Sequence, residues 1–316
     1  MDKLDLKILR ILDWRGREQI NHIAKIVHSN KDVVAYRVKK LEEKRIINRY
    51  FPILDMSKLG YYTSRIYLDL EEIAPVQEQE LISFLDNDIH AGLIFRMDYP
   101  YRYGIVIWTK TIYDVENIIF TIKRKLGKQL VKYEHTIFCT YLLYPKDYLF
   151  GKTFHDTHYY LEPSSCVNYD EQDYLILREL AKDARISTIQ IAQNLNIPQT
   201  TVSRKIKSLE EKRVILGYRA EINYIKLGYT NYFLEIYLNE NKNIKDIESW
   251  AHTNKNVVWL QKIIGACDIE IEIEVKDRSE LETFLNELRI KYPDIRKIIF
   301  WSQEYKKLTF IPQTPQ

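Results

Sequence analysis

Glycine and proline are scarce in this chain, at nine each in 316 residues, and cysteine is scarcer still, at three. The glycines form no phosphate-cradling loop, and neither Gly-x-Ser-x-Gly nor His-Glu-x-x-His is present. Those absences exclude the usual nucleotide-loop, serine-hydrolase and zinc-protease signatures. Cys139, Cys166 and Cys267 lie far apart and make neither a disulfide framework nor a Cys-x-x-Cys knuckle, which fits a reducing compartment. No apolar run is long enough to span a bilayer. The charged start MDKLDLKILRILDW has no secretory cleavage pattern. A cytoplasmic protein with no membrane partner is expected. Net charge is also small, at +3. That rules out a grossly basic nucleic-acid coat, though not a local basic patch.

What is present is a repetition. LEEKRIINRY fills residues 41–50 and LEEKRVILGY fills 209–218, so Leu41 and Leu209 stand 209 − 41 = 168 apart. The same offset joins Asp5 to Asp173, Ile23-Ala24 to Ile191-Ala192, and Lys58-Leu-Gly-Tyr61 to Lys226-Leu-Gly-Tyr229. The chain therefore reads as two copies of one module of ordinary domain size. The expected divisions are a helical head at 1–60, an α/β domain at 61–145, a linker at 146–168, a second head at 169–228 and a second α/β domain at 229–312. Pro145, Gly151 and Pro163 punctuate the linker.

Each head shows three short helical patterns. In the second, YDEQDYLILRELAKD opens with acids, Ser187 precedes TIQIAQNL as an N-cap, and Asn196-Ile197-Pro198 breaks the chain before QTTVSRKIKSLEEK. Then the apolar period falls from 3.6 to about 2. The remaining order is β-α-β-β-α-β in both copies, the split βαβ or ferredoxin-like arrangement. The fold class expected is α+β, a tandem repeat of a winged-type helix-turn-helix head and a ferredoxin-like domain.

Helix, break, helix is the pattern that places a second helix in the DNA major groove. With Val202, Ile206 and Leu209 inward, the opposite face of the third helix carries Thr200, Ser203, Arg204 and Lys207. Short hydrogen-bonding groups followed by cations suit base edges and phosphates. The first head offers Lys31, Tyr36, Lys39 and Lys40 instead, with Asp32 in the place of Thr200. Residues 199–219 hold six Lys/Arg against two acids, and residues 31–50 seven against three, so each segment carries +4. Double-stranded DNA is the expected partner, with the two heads reading different half-sites or the second dominating.

These heads resemble the N-terminal half of Lrp/AsnC (feast/famine) transcription regulators. The matching stretches are DEQDYLILREL, ARIS, IAQNL, TTVSRKIKSLEEKRVI and KLGY in copy two, and LDLKILRIL, IAKIV, VAYRVKKLEEKRII and KLGY in copy one. The α/β unit looks like the family's effector-binding and oligomerisation (RAM) domain. The resemblance implies a non-enzymatic regulator, with an amino acid or other small molecule as effector. The RAM pattern of Gly, two residues, Asp stands as Gly265-Ala-Cys-Asp268, which the resemblance marks as effector-binding. At the same offset copy one has Met97-Asp-Tyr-Pro100. The family usually has Gly where Arg45 and Arg213 stand. RAM domains of the family pair face to face, so one chain could supply a pseudo-dimer. The apolar faces of IEIEIEV and YGIVIW could equally pair with a second chain.

Three further groups of residues bear on metal binding and catalysis. His155, His158 and Cys166 lack a fourth ligand and the usual spacing for zinc, so no metal or cofactor is expected. Glu270, Glu272 and Glu274 alternate on one strand and read as a solvated sheet face rather than an acid/base pair, so no catalytic residue is expected. Sirohaem decarboxylases resemble Lrp/AsnC proteins in fold, and a fused decarboxylase is the alternative. His90, Arg96 and Arg102 lie in the matching region, but the His-Asn-Tyr-like motif is absent.

Overall fold

A computed structural model describes residues 1–150, 159–161, 163–240, 244–265, 267–309 and 311–312. His155 and His158 lie outside the described residues, and among the described ones no group of three His, Cys, Asp or Glu could hold a metal. No described helix is long and apolar enough to cross a membrane.

Each head is a three-helix unit. The first comprises α1 (Lys3–Trp14), α2 (Ile20–Val27) and α3 (Lys31–Glu43), followed by β1 (Ile47–Leu54). The second comprises α6 (Glu171–Lys182), α7 (Thr188–Leu195) and α8 (Gln199–Glu211), followed by β7 (Ile215–Ile222). Ser187 caps α7 through the Gln190 N–H, as its position suggests, and Asn196 ends it in the left-handed region. Arg45 and Arg213 also take left-handed φ, 55° and 58°. The turn after the third helix is thus the one glycine favours, adopted here by arginine. It is fixed by the Ile46 N–H on the Leu41 carbonyl and the Val214 N–H on the Leu209 carbonyl, each 2.9 Å.

The strands that follow do not stay with their own heads. β1 and β7 pair antiparallel with each other, Tyr50 opposite Ala220 and Pro52 opposite Tyr218. Ala220 and Ile222 enter the core of the first head, and Leu54, Met56, Leu59 and Tyr61 enter the core of the second. The segment expected as a plain linker also packs. Tyr148 and Leu149 are buried in the first head's core, and β6 (Tyr159–Leu161) pairs with the last strand of copy one, at Tyr141–Leu143.

The first α/β unit contains β2 (Tyr62–Leu70), α4 (Pro75–Asn87), β3 (Leu93–Met97), β4 (Tyr103–Thr109), α5 (Ile112–Leu126) and β5 (Leu130–Leu143). The second contains β8 (Thr230–Leu238), α9 (Ile244–Thr253), β9 (Val257–Ile264), β10 (Ile269–Val275), α10 (Arg278–Lys291) and β11 (Ile295–Leu308). Each sheet has the expected ferredoxin-like order: β5-β2-β4-β3 and β11-β8-β10-β9. The long last strands then cross over. β5 pairs with β2 through Leu130–Ile137 and with β9 through Ile137–Leu143. β11 pairs with β8 up to Ser302 and with β3 from Gln303 onward. The eight strands therefore close into one barrel, four from each copy.

Closure decides which side of each strand is core. Ile269, Ile271, Ile273 and Val275 pack outward, in one apolar cluster with residues of α9 and α10. Glu270, Glu272 and Glu274 point into the barrel, at 0%, 6% and 2% exposure. The solvated face expected for these acids is therefore wrong. The alternation is real, but both sides are covered.

Equivalent caps show that the repeat is not uniform. α5 is capped by Thr111 and α10 by Asp277, and 277 − 111 = 166 rather than 168. By that offset Gly265 and Asp268 match Tyr99 and Arg102, not Met97 and Pro100. Copy one still lacks the Gly and the Asp. The same shift sets Gly104, Val106 and Trp108 against Glu270, Glu272 and Glu274. At Gly104 an added Cβ would lie 2.1 Å from the Phe95 ring, so this position is kept bare to seat an aromatic side chain.

Candidate nucleic-acid interface

The recognition faces are built from the helix starts upward. Asp170 caps α6 and forms a reciprocal box with Asp173, and Asp2 does the same with Asp5 at α1. Those carboxylates then receive a cation from the third helix of their own head. Lys205 donates to Asp170 at 2.6 Å and Asp173 at 3.0 Å. Arg37 reaches Asp2 at 2.8 Å and Asp5 at 3.3 Å. Burial draws the Lys205 ammonium down, but its bonds to the two aspartates outweigh that and hold it above the ordinary lysine value. These cations lock α3 and α8 in place and are not offered to a partner.

Sequence reasoning counted both as part of the local +4 charge. The corrective signal was available, since 205 − 37 = 168 and both aspartate pairs recur at that offset. Two more of the counted cations are already paired. Arg219 is buried on Asp13 at 2.5 Å, and Arg49 is held by Glu221 at 2.6 Å.

What α8 presents outward is the set expected: Thr200, Ser203, Arg204 and Lys207 are all exposed. Lys207 has a solvated partner in Glu211 at 3.7 Å, with its side chain 76% exposed. Such a pair is worth little and yields readily to a phosphate. On α3, Lys31, Tyr36 and Lys39 are exposed. Lys40 is half-buried and bonds Glu43 at 3.0 Å, and that bond and charge raise its pKa. Its ammonium also lies 5.6 Å from the Tyr36 ring. Lys40 is therefore the most engaged of the four. Asp32 is exposed on the first turn of α3, where the Asn30 side chain caps its N–H. The two faces thus differ in charge as well as in residue type.

The heads are fixed to one another. Besides the β1–β7 ribbon, the Arg185 guanidinium donates to the Gly16 carbonyl at 2.7 Å and lies 4.1 Å from the Tyr50 ring. Arg219 bridges β7 to α1 through the Asp13 carbonyl at 2.8 Å and its carboxylate.

The two residues marked as effector-binding lie between β9 and β10, where each also has a structural role. The Asp268 carboxylate accepts the Leu238 N–H at 2.7 Å. Gly265 has φ 149°, and an added Cβ would lie 2.8 Å from Thr136 Cγ2 and 3.0 Å from the His135 carbonyl. Its bareness lets β5 of the other copy pass. In the region that matches the decarboxylase pattern, Arg96 turns to Glu78 on α4, 3.7 Å away.

A family model described as winged helix-turn-helix DNA-binding matches residues 1–48 and 169–215. An uncharacterized HTH-type transcriptional regulator of Pyrococcus abyssi is 34% identical over 116 residues, 37% of this chain and 79% of that protein. The HTH-type transcriptional regulator LrpA of Pyrococcus horikoshii is 49% identical over 61 residues, 19% of this chain and 43% of that protein. Among solved structures, the siroheme decarboxylase NirDL superposes with a TM-score of 0.64 at 13% identity, over 98% of this chain and 94% of that one. That likeness is one of fold. The chain belongs to the Lrp/AsnC family of helix-turn-helix transcription regulators, with two of the family's modules in a single polypeptide.

Proposed function

We propose that this chain is a sequence-specific DNA-binding transcription regulator whose two heads meet one duplex together. The observation that carries the reading is the pair of exposed third-helix faces on heads joined by the β1–β7 ribbon. Thr200, Ser203, Arg204 and Lys207 would contact DNA from α8, and Lys31, Tyr36, Lys39 and Lys40 from α3. The target is an asymmetric site. The α8 face carries two cations beside hydroxyls, whereas α3 carries Asp32 and Tyr36 where α8 has Thr200 and Arg204.

The test is a pull-down of genomic fragments by the purified protein at two salt concentrations. A discrete, asymmetric motif is expected, lost in an Arg204→Ala/Lys207→Ala double variant. Arg204→Ala is expected to weaken binding to that motif more than Tyr36→Ala. Binding to all fragments alike, vanishing with added salt, would overturn the reading, because phosphate contacts alone carry no sequence information.

The shared two-module fold with NirDL favours one other reading, a tetrapyrrole-binding enzyme. Our proposal assigns no catalytic role. Titration with sirohaem is expected to leave its absorption bands unmoved, and a saturable shift would instead support the enzyme.

A further inference from the structure

Between the β1–β7 ribbon and the mouth of the barrel lies a chamber of about 280 Å³. A narrower cavity of about 90 Å³ adjoins it, and both are bounded by Phe51, Leu93, Leu143, Trp259, Glu272 and Tyr305. Phe51, Leu93, Trp259 and Tyr305 are half-buried, each packed on one side against a neighbouring apolar cluster and lining the chamber on the other.

The charges around this space can be paired off. Glu274 takes Lys146 and the Tyr148 hydroxyl. Glu221 takes Arg49 at 2.6 Å, Glu304 takes Lys306 at 2.9 Å, Arg219 takes Asp13 at 2.5 Å, and Arg65 takes Glu270 at 2.6 Å. Glu272 remains. It is 6% exposed and lines both cavities, and no described cation lies within ion-pair distance of it. One of its oxygens accepts from Asn231 at 2.6 Å, and the other has only the Tyr305 hydroxyl at 3.4 Å. Burial raises its carboxyl to about 7, with Glu274 adding to the rise, while the Asn231 bond and the more distant charges of Lys146 and Arg65 oppose it. A buried carboxylate with no cation in direct contact is costly. Here it opens on a space walled by aromatic rings, which attract cations.

We propose that this chamber binds a small molecule carrying one protonated amine on an apolar body. The ammonium would rest on Glu272 beside Tyr305 and Trp259, and the body would lie along Phe51, Leu93 and Leu143. Copy one has Val106 where copy two has Glu272, so the chain holds one such site and not two. The site does not depend on whether the heads bind DNA, and its test uses no DNA.

The test is thermal unfolding of the whole chain at pH 8, above the value to which burial raises Glu272, with 3-methylbutylamine or 2-phenylethylamine added. The neutral alcohols of the same shape serve as controls. At ~10 mM the amines are expected to raise Tm by a few degrees and the alcohols to leave it unmoved. Glu272→Gln is expected to weaken the response about tenfold, the loss of one charged contact. Leu93→Trp, which fills the chamber while keeping the carboxylate, is expected to abolish it. Equal shifts with amine and alcohol, no shift with either, or an amine response unchanged in the variants would each overturn the proposal.

Discussion

Glu235 lies inside the barrel at 2% exposure, bonded by the Tyr237 hydroxyl at 2.8 Å. Burial raises its carboxyl to about 7, with Glu270 and Glu134 adding to the rise and Tyr237 and Arg65 opposing it. The folded state therefore keeps a proton that the unfolded chain has lost above the ordinary carboxylate value of 4.5. Stability from this group is complete below about pH 4.5 and declines as pH rises through about 7. One unit of such a shift is worth ~1.4 kcal/mol. Glu235→Gln is accordingly expected to raise Tm more at pH 8 than at pH 5.5, measured by circular dichroism at both. An equal change at the two pH values would show that Glu235 does not titrate with unfolding. Little of this was legible in the sequence. The alternation in TNYFLEIYL and IEIEIEV gave the strands, but period 2 does not say which side meets water. It misled because both faces are covered, one by helices and one by the opposite sheet.

At the scale of elements, the helices of the heads were readable from caps and spacing, and the strands joining the heads were not. INRYFPIL and ILGYRAEI lack a clean alternation, and each finds its partner in the other copy. No local pattern marks such pairing. Its anchor is equally non-local: Asp13, in the last turn of α1, takes the Arg219 guanidinium from β7 and the Lys146 N–H at 2.7 Å. Arg219 and Asp13 are 5% and 1% exposed. Removing one partner of so buried a pair leaves a charge stranded, at a cost of about 3–5 kcal/mol. Asp13→Ala is expected to lower the unfolding free energy, measured by urea titration, by that amount and to lower the midpoint with it, with Asp13→Asn losing less because it keeps an acceptor. A midpoint within error of the parent would mean that the ribbon and the head cores alone hold α1 to β7.

For the whole molecule, the repeat made two α/β units plain and left open whether they face one another. They do, and β5 and β11 sew them edge to edge as well. Arg65 of copy one and Glu270 of copy two meet at 2.6 Å in the interior, with the Phe138 and Phe233 rings 4.9 Å and 4.5 Å from the guanidinium. Neither half can close this core alone. Residues 1–150 and 163–316 made as separate polypeptides are expected to co-purify one to one and to unfold in a single transition. Two halves that are each folded and monomeric would contradict that expectation. The closed barrel has a consequence for regulation. A protein built from two separate copies of this module would gain its working form with the square of its concentration, and its subunits could be exchanged with those of its relatives. Here the second half arrives with the first, so occupancy of a target would follow expression in direct proportion. Among the described residues each α/β sheet already has its partner in the other copy, so a related single-module regulator would have to displace it to form the same pair.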